Sequence, residues 1–329
     1  CQQFQNLRTY SSRRRAGPLV LRPSARAAAA RGREIESRMH LFRRNPAKKS
    51  DFEVEPDDEE KDSAFLRSLQ LHLSRLIAYA ESADVTLQRE VAEKLANEAV
   101  KPARQVQIVA YGGLKLLVPL TRSSDLEVQR LAAHALANLS VNADNQRLMA
   151  DEGAIDCLVH LLDSSSELIQ RQSAKALANL GVNSDNKARI AQAGSIPKLV
   201  FLAAAVSVSV RIEAIAALAN LAVNDANELE IVRCGGLQPI VGGTLAAAEG
   251  LEGVDGMGRL ADKDQQQLEE LATQCARALR NLSVNPANKE AIAALGAVRH
   301  LLALMNYPND RISQQAKRAL RNLEFHTGK

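Results

Sequence analysis

Through most of residues 63–329, apolar residues recur at three- and four-residue steps with polar residues between them, the period of helices that bury one face. The pattern begins with Phe65, Leu66, Leu69, Leu73, Leu76 and Ile77, which form one helical stripe. Residues 145–185 show how the pattern is cut into elements. Asn145 is placed to cap a short helix running to Asp151, because its side-chain oxygen can accept an orphan backbone N–H. Gly153 breaks that helix. A second helix follows over Ala154–Leu162 with Ile155, Leu158, Val159 and Leu162 inward. Asp163–Ser166 is a polar turn, and Glu167–Leu180 is a longer third helix with Ile169, Ala174, Leu177 and Leu180 on its core face.

This three-helix unit repeats. Asn138-Leu-Ser-Val-Asn142-Ala-Asp-Asn145 returns as 179–186, 220–227 and 281–288, with leading asparagines 41, 41 and 61 residues apart. Asn97 and Asn322 continue the column at 41-residue steps on either side. Fifteen residues after each of the first five asparagines stands a glycine: Gly112, Gly153, Gly194, Gly235 and Gly296. Ten residues before each asparagine stands an aliphatic residue: Leu87, Val128, Ile169, Val210, Leu271 or Ile312. Three columns with one period indicate stacked helical repeats, each burying its apolar face against its neighbours.

The 61-residue unit holds 20 extra residues at about 246–265, where four glycines predict a loop before the third helix. One unit earlier, Ala203–Ser209 replaces the polar turn with an apolar one, a candidate second contact edge.

Charge changes the picture at the head of the chain. Residues 1–50 carry 13 Lys+Arg against 2 Asp+Glu and no sustained apolar period, which predicts a basic disordered head. Residues 51–62 carry 8 acids and one Lys and read as a solvated acidic linker. The remainder is neutral, which argues against a bulk nucleic-acid partner. Arg8-Thr-Tyr10-Ser11, in an acid-poor segment rich in Arg, Ser and Ala, resembles a mitochondrial or plastid presequence; the competing reading is that residues 1–38 are a fragment edge or translated leader ahead of Met39, the first methionine, with a cytoplasmic protein behind it. The longest largely apolar run, Leu199–Val210, is too short to span a membrane. The four cysteines are few and scattered, which fits reduced thiols.

Gly153-Ala-Ile-Asp-Cys-Leu-Val-His-Leu-Leu162, followed by Ala174-Lys-Ala-Leu-Ala-Asn-Leu180, closely resembles the armadillo repeat consensus, and the resemblance covers roughly residues 63–329. It implies an all-α, right-handed superhelical solenoid of about six three-helix repeats. Asn220–Asn224 and Gly235–Ile240 look most like the vacuolar armadillo protein and the armadillo tails of kinesins. The family implies a non-enzymatic protein-interaction scaffold, with a targeting module of a larger protein or an organellar subunit as alternatives. It also implies that Asn97, Asn138, Asn179, Asn220, Asn281 and Asn322 line the concave face, where an amide offers donors and an acceptor to the backbone of an extended peptide.

One turn before each asparagine come Glu93, His134, Lys175, Ala216, Arg277 and Arg318, and a further turn back stand Arg89, Arg130 and Arg171. Nuclear-import members carry Trp one turn before the asparagine; this chain has no Trp, which speaks against import-receptor function. An excess of cations on the ladder face predicts an extended protein or peptide partner with acidic side chains. The chain's own acidic run at 51–60 is a candidate competitor for that groove. No nucleophile, acid and base converge, and no cofactor, small-molecule or metal pattern is present. Gly256-Met-Gly258-Arg-Leu-Ala261 matches a dinucleotide motif only loosely and lacks the strand it needs. His134, His160 and His300 stand alone in separate units.

Overall fold

A computed structural model of the 329-residue chain describes residues 58–252 and 261–324. Every regular element among them is a helix, and the described residues form one compact unit. In chain order the first repeat unit contributes α1 (Asp58–Ala80) and α2 (Val85–Ala99). The second has α3 (Pro102–Ala110), α4 (Gly113–Leu120) and α5 (Leu126–Leu139). The third has α6 (Ala143–Asp151), α7 (Ala154–Leu161) and α8 (Glu167–Leu180). The fourth has α9 (Ser184–Gln192), α10 (Ser195–Ala203) and α11 (Val208–Leu221). The fifth has α12 (Asp225–Arg233), α13 (Leu237–Glu252) and α14 (Asp262–Leu282). The sixth has α15 (Pro286–Ala294), α16 (Ala297–Met305) and α17 (Asp310–Asn322).

The third helices pack side by side in the order α2, α5, α8, α11, α14, α17. Val128, Ile169, Val210, Leu271 and Ile312 are fully buried beneath them. Leu87, their counterpart in the first unit, is only half-buried, because α2 lies at the open end of the row. The five column glycines have φ between +77° and +84°, a left-handed turn that any Cβ would strain. It swings the chain from the first helix into the second of each unit.

Each Asn-Leu-x-Val-Asn-x-x-Asn motif gives its three asparagines three tasks. The first sits at the end of the third helix. The second caps the next helix: Asn142 Oδ1 accepts from Asp144 N, and Asn183, Asn224 and Asn285 cap α9, α12 and α15 likewise. The cap expected of Asn145 therefore belongs to Asn142. Asn145 lies inside α6, fully buried, where its Nδ2 donates to Leu139 O at 3.0 Å and to Gln105 O of the preceding unit at 3.1 Å. Asn186 repeats this with Leu180 O and Gln146 O, and Asn227 reaches Lys187 O. Asn288 bonds Leu282 O and the Glu228 carboxylate. Where the first interface lacks this asparagine, buried Arg104 takes the position and pairs with Glu98. A glutamine column adds a second staple: Gln88, Gln129 and Gln170 each donate from Nε2 to the carbonyl six residues back, at 2.7 Å.

Two expected boundaries move. Helix α1 begins at Asp58, inside the run read as an acidic linker. The described residues of the 246–265 segment are nearly all helical: α13 continues to Glu252, and α14 starts at Asp262. Ala247, Ala248 and Leu251 are buried. The described extra residues thus lengthen two packed helices. Most of the Gly256–Ala261 run, like the basic head, lies outside the described residues.

Candidate functional site

The six ladder asparagines occupy the C-terminal turns of the six third helices, and that row of helices brings them into register. Asn138, Asn179, Asn220, Asn281 and Asn322 are half-buried, and Asn97, at the open end, is exposed. The amides of the five half-buried ones are already anchored. Nδ2 of Asn220 donates to Ala178 O at 2.7 Å, that of Asn281 to Ala219 O at 2.7 Å, and that of Asn322 to Arg280 O at 2.9 Å. Each of these acceptors belongs to the third helix of the preceding unit. Asn179 donates to Ser140 Oγ, and Asn138 contacts His134 Nε2 at 3.2 Å. An anchored amide keeps its second N–H, and Oδ1 stays open in Asn220 and Asn322 among the described residues. In Asn281, Arg280 occupies Oδ1.

The cations divide into two groups. Arg89 is bidentate to Asp125, and Arg130 is bidentate to Glu127 at 2.6 and 2.8 Å, so neither is the free positive charge expected of it. Asp125 caps the third helix of the following unit, and Glu127 lies three residues before Arg130 on its own helix. Arg171 and Lys175 lie near Glu213, whose carboxyl is pushed above its ordinary range by burial, against the pull of those two cations. Burial, and then the charges of Arg130, Lys175 and Arg171, hold the His134 imidazole below its usual pKa. Arg277 donates to Ala216 O at 3.2 Å. Arg318 is exposed beside Asn322 and Arg321.

Two features of this face escaped the sequence reading. One is a column of exposed valines, Val100, Val141, Val182, Val223 and Val284, three residues past each of the first five ladder asparagines. The repeat itself displays the column, but helical periodicity alone does not say that it faces water. The other is the arginine one residue before Asn281 and Asn322, where the four earlier units have alanine. Within the apolar turn Ala203–Ser209, Ala203 is buried, Ala205 and Val208 pack on the core, and Val206 is 97% exposed. Phe201 nearby is 78% exposed. Among the described residues no three His, Cys, Asp or Glu side chains are placed to hold a metal ion.

The Armadillo/beta-catenin-like repeat family matches at residues 102–141, 142–182, 183–223 and 285–323. A crystal structure of an engineered protein aligns with 32% identity and a TM-score of 0.63, over 76% of this chain and 95% of that one. The chain belongs to the armadillo repeat family. A second engineered protein aligns with 29% identity and a TM-score of 0.65, over 77% of this armadillo chain and 99% of its own. A designed armadillo repeat protein in complex with the peptide (KR)4 shares the fold at 24% identity and a TM-score of 0.61, over 77% and 98% of the two chains. These similarities establish the family and not one branch of it. No curated protein matches the chain significantly. The 61-residue unit falls between the matched repeats, as its lengthened α13 and α14 would cause. No helix among the described residues is long and apolar enough to cross a membrane.

Proposed function

We propose that this armadillo chain is a non-enzymatic scaffold that holds an extended protein segment along the row of third helices, with the ladder asparagines pairing with its backbone. The observation that carries the reading is the state of Asn220 and Asn322. One amide N–H is fixed to the preceding unit, so the plane is set, while the other N–H and Oδ1 match the C=O and N–H of one peptide unit. That a designed armadillo protein is found with a peptide supports the use of this fold for an extended chain.

The preferred side chains are acidic toward the C-terminal units, where Arg277, Arg280, Arg318 and Arg321 cluster, and closer to neutral toward α2 and α5, where ion pairs cancel the arginines. A cytoplasmic setting belongs to the same reading and is supported by the free thiols Cys157, Cys234 and Cys275.

The test is binding of degenerate dodecapeptide mixtures, one rich in Asp and Glu and one in Lys and Arg. The acidic mixture should bind more tightly, and Asn179→Ala with Asn220→Ala should weaken it about tenfold or more, a change of about 1.4 kcal/mol. Unchanged binding by a folded double variant would exclude the ladder as the peptide site.

A further inference from the structure

The last two units differ from the others at the position that looks onto the ladder. One residue before the asparagine, Ala96, Ala137, Ala178 and Ala219 are all buried, whereas α14 and α17 carry Arg280 and Arg321. Four residues before it, the same two helices carry Arg277 and Arg318. Arg280, Arg318 and Arg321 line a cleft of about 320 Å³ together with Asn281, Asn322 and Val284.

Arg280 is held in place by neutral acceptors only. Its Nε and Nη2 donate to Asn281 Oδ1 at 3.1 and 2.9 Å, and its Nη1 donates to Gln315 Oε1 at 2.9 Å. None of the three arginines pairs with a carboxylate among the described residues. The nearby acids are engaged elsewhere: Glu324 with Lys289, and Glu270 facing Arg311 at 3.8 Å. Burial and the charge of Arg318 both weigh against the Arg280 cation, a like-charge strain that an anion in the cleft would relieve.

We propose that this cleft is a phosphoryl subsite, which takes a phosphoserine or phosphothreonine carried by the extended segment. The proposal rests on the groove reading above. A single carboxylate brings one charge, whereas a phosphoryl group brings about −1.5 to −2 and three acceptor oxygens, a match for the guanidinium forks of Arg318 and Arg321 and the remaining N–H groups of Arg280. The spacing of the ladder suits one such group between two ladder positions. Packed helices lie about 8–10 Å apart, and an extended chain rises about 3.3 Å per residue, so about three residues separate successive asparagines. Val284, 68% exposed at the rim, offers apolar contact to a neighbouring side chain. A nucleic acid is disfavoured, because its run of phosphates would meet Glu270 on α14 itself and Glu213 on the preceding third helix.

The experiment titrates the full chain with three degenerate dodecapeptide mixtures that share an acidic background and carry phosphoserine, Ser or Glu at the centre. The phosphoserine mixture should bind about tenfold or more tightly than the Ser mixture, with Glu falling short of phosphoserine. Arg318→Ala with Arg321→Ala should erase that preference, so that the phosphoserine and Ser mixtures bind within about twofold of each other. Asn179→Ala with Asn220→Ala, outside the cleft, should instead weaken all three mixtures alike.

Equal affinity for the three mixtures in the unaltered protein overturns the phosphoryl subsite and leaves the groove reading standing. Peptide binding indifferent to the asparagine pair overturns the groove reading itself. Phosphoinositide vesicles or single-stranded RNA bound more tightly than the phosphopeptide mixture, with binding lost on Arg318→Ala and Arg321→Ala, would reassign the cleft. Matching thermal melts for all variants separate these results from unfolding.

Discussion

At the residue scale, three asparagines within eight residues do different work because they meet different surroundings. In one motif Asn179 stands on the ladder face, Asn183 caps α9 and Asn186 is buried between units. The sequence displayed all three columns but gave the cap to the wrong one. Asn is a good cap at either position, and apolar periodicity does not decide where a short polar helix starts within one turn. The buried role was invisible because its acceptor, Gln146 O, lies 40 residues away. Asn186→Ala removes both bonds and strands two buried carbonyls, so it should cost about 1–3 kcal/mol. Asn183→Ala, at the solvent-facing cap, should cost about 1 kcal/mol. Urea midpoints of the two single variants check the order, and a larger loss at Asn183 would contradict the assignment.

At the element scale, the unit at residues 225–282 shows what composition misleads about. Four glycines suggested one loop, yet Gly250 lies within α13 where that helix presses on α14: a Cβ there would stand 2.8 Å from Leu268 Cδ1. A glycine that permits close helix approach and a glycine that breaks a helix look alike in a sequence. The helical extension was legible only in the Ala247, Ala248 and Leu251 spacing, which continues the apolar face of α13. Leu251 is 3% exposed, so Leu251→Ala should cost about 2–5 kcal/mol, as for other large-to-small core changes. A loop residue would change stability by about 0.5 kcal/mol or less, and chemical denaturation distinguishes the two outcomes.

At the scale of the whole molecule, the fold was readable because a repeat states its core many times over. Val128, Ile169, Val210, Leu271 and Ile312 are five copies of one instruction. The electrostatics of the ladder face were harder to read, since pairs such as Arg89 with Asp125 join neighbouring units. A stack of this kind has no central core, and each unit is stabilised by the units beside it. The ends must then open more readily than the middle. In the last unit α15 buries only Asn288 and Ile292, and α17 packs on α14 and α16 with no further unit beyond it among the described residues. Interior α8 and α11 are packed on both sides by other third helices. Native-state hydrogen exchange should therefore find the slowest amides in α8 and α11 and clearly faster ones in α15 and α17. A single protection level throughout 85–322 would mean that the solenoid opens only as a whole, against the nearest-neighbour account. Because the arginine cleft bridges α14 and α17, a phosphopeptide seated there would tie the fraying unit to the interior. Saturating phosphoserine mixture should slow exchange in α17 more than in α8, and a uniform change along the row would place the ligand elsewhere.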